Sequence, residues 1–216
     1  MKPLRISLSV LALFAAGAAS CRSAALDQGA PIIQPGAPGE SSRVISPEAA
    51  ASLLPPSHTA ADVQFMQGMI AHHAQALEMT ELLKARTRSD DMRRLAQRIE
   101  VSQADEIEMM REWLEGRGAE VPGEHAHHAG GAVLMPGMLT AEEMQRLAAA
   151  TGPAFDKLFL EYMIRHHEGA LVMVKDLFAR PGAGQESDIH AFASDVDADQ
   201  RMEIARMVGL LKELER

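Results

Sequence analysis

The chain has 216 residues, a formal charge of −9, a single cysteine, and 14 methionines against an aromatic content of 4%. A net acidic chain with no basic run argues against nucleic acid as a partner. One cysteine rules out an intrachain disulfide framework.

Residues 1–20 read as a signal peptide. Lys2 and Arg5 give a positive start, residues 6–19 an apolar run, and Ala18-Ala19-Ser20 a small-residue cleavage site. The run is too short and wrongly flanked to span a membrane. Cys21 follows at once, a placement that resembles a bacterial lipobox, in which the cysteine is lipidated and becomes the mature N-terminus. Ala18 stands where that motif usually has Leu, and a plain secretory signal with an incidental cysteine is the alternative. If the signal is removed, loss of Lys2 and Arg5 takes the formal charge from −9 to −11. Residues 21–56 hold Pro31, Pro35, Pro38, Pro47, Pro55 and Pro56 and show no sustained helical period. They are expected to form a lipid-anchored flexible linker, reaching about 30 Å at about 5–6 Å × √n.

Residues 57–216 are one domain's worth of chain. No stretch alternates with period two over a strand's length, and Ala, Leu, Met, Glu, Gln and Arg dominate, so the domain is all-α. Thr59, with Asp62 three residues on, predicts a capped helix running to about residue 87. Ser89 caps the second, which ends near Gly116-Arg117-Gly118. A longer connection, 117–152, holds a short capped helix starting at Thr140. Gly152-Pro153 opens the third long helix and Arg180-Pro181-Gly182 closes it. Ser187 starts the fourth, which runs almost to Arg216. Short links within each pair imply antiparallel hairpins.

The two hairpins repeat one another. At a constant offset of 94, Phe65, Met69, Ile70, His72, His73, Ala76, Leu77 and Met79 match Phe159, Met163, Ile164, His166, His167, Ala170, Leu171 and Met173. At an offset of 97, Gln103, Glu106 and Met110 match Gln200, Glu203 and Met207. Residues 65, 69, 72, 76 and 79 share one helical stripe, as do 159, 163, 166, 170 and 173. The second histidine of each pair lies about 100° round, beside Ile70 and Leu77 or Ile164 and Leu171. The parsimonious assembly is a pseudo-twofold four-helix bundle whose four histidines are buried.

The pattern Phe-x3-Met-Ile-x-His-His, Gln-x2-Glu-Ile-x2-Met, Met-Pro-Gly-Met and a second Met-Ile-x-His-His resembles domain-of-unknown-function family 305, over about residues 60–214. That family has a ferritin-like bundle and includes periplasmic copper-binding proteins. The resemblance implies metal binding by His and Met, copper first. The motif is carried here by Met69, His72, His73, Met163, His166 and His167, with Met79 and Met173 one to two turns on.

Chemistry independent of the family leads to two readings. Four buried imidazoles need partners, because each unsatisfied polar group costs about 1–3 kcal/mol. A metal would supply them, or carboxylates such as Glu106 and Glu203 in a structural network. Soft thioethers beside imidazoles suit Cu(I); zinc or another divalent ion could use the histidines alone but would leave the methionines unexplained. Met69 and Met163 stand three and four residues before histidines on the same face, which separates them from methionines that merely fill a core. A second candidate site is the loop trio His125, His127 and His128, followed by Met135-Pro136-Gly137-Met138. The expected function is copper sequestration or transfer outside the cytoplasm. A di-iron oxidase is disfavoured, because Glu-x-x-His occurs once, at Glu124 to His127 in the loop, rather than on two bundle helices. An envelope interaction module with structural histidines is the remaining class.

Overall fold

The computed structural model describes residues 30–36, 41–53, 56–123 and 134–216. The signal segment, Cys21 and the loop trio His125, His127 and His128 lie outside the described residues. The chain divides into two units, Met1–Leu54 and Pro55–Arg216.

In the first unit, β1 (Ile32–Gln34) pairs antiparallel with β2 (Arg43–Ile45), with Ile33 opposite Val44. A short helix, α1 (Pro47–Ala51), follows, its N-terminus capped by the Ser46 hydroxyl, which accepts from the Ala49 amide. The stretch expected to be irregular therefore contains regular structure. Pro31 and Pro35 flank β1 rather than interrupt it, and Pro47 takes the first helical position, where its missing N–H costs nothing. The β-branched pairs Ile32-Ile33 and Val44-Ile45 supply strand propensity. Composition registered the prolines and missed their placement.

The second unit is a bundle of four long helices. They are α2 (Ala60–Arg86), α3 (Asp90–Gly116), α5 (Gly152–Ala179) and α6 (Ser187–Leu214), with the short α4 (Ala141–Ala149) in the connection. The starts are written in the chain. Thr59 and Asp62 form a reciprocal capping box on α2, Thr140 and Glu143 another on α4, and the Ser89 hydroxyl accepts from the Met92 amide on α3. Pro153 sits in the first turn of α5. The helices pair as α2 with α3 and α5 with α6, and the hairpins meet mainly through α2 against α5. Among the described residues, no helix is long and apolar enough to cross a membrane.

Two apolar layers hold the bundle. One gathers Phe65, Met66, Met69, Met110 and Trp113 with Val174, Leu177 and Phe192. The other gathers Met79, Leu83, Leu95 and Ile99 with Phe155, Phe159 and Met163. The start of α2 shares a layer with the end of α5, so the two central helices run antiparallel. Asp62 ties the repeats together: one carboxylate oxygen closes the Thr59 cap and the other accepts from the Gly184 amide at 2.7 Å.

Candidate metal centre

Between the apolar layers lies a polar one. His72 and His73 on α2, and His166 and His167 on α5, are fully buried. The His72 and His166 rings face each other across the α2–α5 interface, centroids 3.8 Å apart and planes tilted by 38°. Their neighbours turn outward to the partner helices. His73 Nε2 meets Glu106 Oε2 of α3 at 2.5 Å, and His167 Nε2 meets Glu203 Oε2 of α6 at 2.5 Å. The duplication seen in the sequence is thus a duplication of side-chain contacts.

These partners set the tautomers. An ionised carboxylate only accepts, so Nε2 of His73 and of His167 carries the hydrogen and donates it. His72 Nε2 donates in the same way to the Pro136 carbonyl, at 3.0 Å. The second ring nitrogen in all three is Nδ1, and in neutral His72 it carries the lone pair. None of those Nδ1 atoms has a hydrogen-bond partner, and neither nitrogen of His166 has one. The His72 carbonyl lies close enough to His166 to favour its protonated form slightly, without reaching hydrogen-bond geometry. Orienting an imidazole through one nitrogen while presenting the other is how proteins prepare a metal-binding histidine.

Protonation states agree with that role. Burial, reinforced by the neighbouring His73, pushes His72 down to about 3. Burial again, then the charges that His72, His167 and His73 would carry, holds His166 well below the usual histidine value. Both rings are neutral at physiological pH, the form that binds metal.

The sequence-selected methionines are distributed around this layer. Met69 and Met163 are fully buried, one turn from the stacked pair and in opposite apolar layers. Met79 is buried in the same layer as Met163, about two turns from His72. Met173 is half-buried beside Met135, above Gly68, and does not join the stacked histidines. Gln103 and Gln200, one turn before Glu106 and Glu203, are buried with unpaired amide atoms. Among the described residues, no three His, Cys, Asp or Glu side chains converge on one point suited to an ion.

Sequence reasoning missed the segment that covers this layer. Residues 135–139 lie across α2 and α5, bringing the Pro136 carbonyl to His72. Gln75 grips the segment with two hydrogen bonds to the Leu139 backbone, at 2.7 and 3.0 Å. Gly169 makes room for it. The signal was present: at the offset of 94, Gln75 matches Gly169, a break in the repeat beside its strongest motif.

Residues 62–211 match the family described as Domain of unknown function (DUF305). The chain belongs to the DUF305 family. A DUF305 protein from Streptomyces coelicolor is 31% identical, over 72% of this chain and 94% of its own, with a TM-score of 0.61. A DUF305 fragment from Deinococcus radiodurans is 32% identical, over 73% of this chain and 99% of its own, with a TM-score of 0.61. The DUF305 bundle is also similar to CopM. Its Cu(II)-bound form is 26% identical over 70% of this chain and 96% of its own, TM-score 0.56. Its Cu(I)-bound form is 25% identical over the same shares, TM-score 0.54. No curated protein matches this DUF305 chain.

Proposed function

We propose that this DUF305 protein binds copper at the His72–His166 pair, with Met69 and Met163 as flanking thioether donors, and sequesters or transfers the ion outside the cytoplasm. The observation that carries this reading is the set of buried imidazole nitrogens with no hydrogen-bond partner, with the His72 and His166 rings held neutral by burial. A purely structural network accounts for one nitrogen each of His73 and His167, through Glu106 and Glu203. It leaves His166 with nothing on either nitrogen. Copper-bound structures of CopM support the choice of metal, and soft sulfur beside imidazole favours Cu(I) over Cu(II) or zinc.

Metal analysis of the purified protein under reducing and oxidising conditions tests the reading, alongside the double variant His72→Ala/His166→Ala. Loss of high-affinity Cu(I) with the helical content retained supports it. Unchanged copper stoichiometry in the variant refutes it.

Location and the loop are separate proposals. Residues 1–21 support export and lipidation of Cys21, so the membrane is a partner through the lipid. Cys21→Ser should move the protein from the membrane to the soluble fraction. His125, His127 and His128 are proposed to take a divalent ion more weakly than the bundle, because the loop must be ordered on binding.

A further inference from the structure

We propose that Met135 and Met173, meeting over Gly68, form a second, two-sulfur site for Cu(I) on the bundle surface, through which the ion is loaded into the His72–His166 pair. The loading half of this proposal rests on the copper reading above; the two-sulfur site stands on its own geometry.

Gly68 is the point on which the two side chains converge. At the repeat offset of 94 its counterpart is Tyr162, a large side chain packed toward Arg146 and Arg165. On α2 that volume is vacated. Met135 Sδ lies 3.0 Å, and the Met173 terminal methyl 3.5 Å, from where a Cβ on Gly68 would stand. One methionine comes from the connecting segment and the other from α5, so tertiary structure alone brings the ends of the two side chains together.

The surroundings differ from those of a core. Met79 and Met110 are sealed from solvent, as expected of methionines that fill gaps. Met135 and Met173 are half-buried and border an open groove of about 220 Å³. Phe65 and Leu177 form its apolar floor; Gln64, Asp176 and Arg180 stand at its exposed rim. Two thioethers at the edge of an apolar groove discriminate by softness: they attract Cu(I) and offer little to Ca, Mg or zinc. The exposed side leaves room for a donor to hand over its ion by ligand exchange.

Chain connectivity links this site to the buried one. Pro136, the residue after Met135, supplies the carbonyl that accepts from His72 Nε2. Drawing Met135 toward an ion pulls on the same two-residue unit that orients His72. An ion held at the groove is therefore bound by the residue next to Pro136, whose displacement frees the His72 ring to turn and admit the ion to its unpartnered Nδ1.

The test uses the full chain with 13C-methyl-labelled methionine and Ag(I), a redox-inert soft probe. The first substoichiometric additions should shift the Met135 and Met173 methyl resonances. The volume-conserving variant Met135→Leu/Met173→Leu should bind one fewer Ag(I). It should also take up Cu(I) from a chromophoric chelate at least tenfold more slowly, with the same final loading of the His pair. Gly68→Ala, which crowds the sulfur without removing it, should reproduce the slower uptake. Methyls that stay unshifted while Ag(I) binds elsewhere would overturn the two-sulfur site. Uptake by the Leu variant as fast as by the native protein would overturn the loading role. Should the two methyls shift while His72→Ala/His166→Ala leaves Cu(I) binding unchanged, the surface site stands and the buried copper reading falls.

Discussion

Gln75 and Gly169 occupy equivalent places in the two repeats, and both are fitted to the same segment, residues 135–139. Gln75 bonds both the amide and the carbonyl of Leu139. Gly169 lies so near Pro136 that a Cβ there would sit 1.9 Å from its carbonyl oxygen, with backbone that cannot swing aside like a side chain. One repeat has gained a hook, the other has lost a side chain, and the pseudo-symmetric bundle acquires one covered face.

Gly169→Ala should therefore lift the segment off α5 and remove the acceptor of His72. The expected loss is about 1–3 kcal/mol, typical of forcing an extra carbon into a filled space. Gln75→Ala should cost a similar amount through the two lost bonds, at about 1 kcal/mol each. Thermal melts measure both, and amide exchange should show Leu139 deprotected in each variant. A Gly169→Ala protein as stable as the parent, with Leu139 still protected, contradicts the packing described.

The metal-free protein should weaken in acid. His72 and His166 are held neutral in the folded state, whereas an unfolded histidine takes a proton near pH 6.5. Below that pH the unfolded chain binds more protons, so stability falls as pH drops from about 6.5 toward 3, by up to about 1.4 kcal/mol per pH unit for each ring. Denaturant titrations across this window should show the slope, and His72→Leu/His166→Leu should flatten it. An equal slope in that variant would place the acid sensitivity elsewhere.

Sulfur ligation can be separated from packing. Met69→Leu/Met163→Leu keeps volume and apolarity nearly constant, so the melting temperature should change little while Cu(I) affinity falls at least tenfold. Competition titrations against a Cu(I) chelator give the number. Equal affinities would return both methionines to the core and leave histidine as the bundle's ligand.

Glu106 tests how far the ligand set extends. In Glu106→Ala the buried His73 Nε2–H loses its acceptor, which should cost about 1–3 kcal/mol of stability. If His73 also presents Nδ1 to the ion, copper affinity should fall 10–100-fold as well, the usual effect of removing an orienting carboxylate. Reduced stability with unchanged affinity confines His73 to a structural role. Glu203→Ala should behave alike, since His167 repeats the contact at the same distance.

The chain itself determined whatever depends on neighbours a few residues apart. Thr59 with Asp62, Ser89, and Thr140 with Glu143 mark helix starts because a cap is a contact over three residues. The stripes through His72 and His166 follow from helical period, and with them the burial of all four rings. The duplication was legible because each repeat keeps the residues that face its own partner helix, Glu106 for His73 and Glu203 for His167. Tertiary structure decided what periodicity leaves open. Helical spacing fixes the face a histidine occupies, and only the elements packed upon it fix which nitrogen is bonded and which is free. Thus His72 stacks on His166, not on its own neighbour, because α2 and α5 form the central pair. Met173, a matched member of the repeat, leaves the stacked histidines for Met135, because residues 135–139 fold back onto a face that Gly68 and Gly169 had left bare. No local pattern encodes that return: on α2 it joins residues more than sixty positions apart and on α5 more than thirty, and the shape left by two missing side chains selects it.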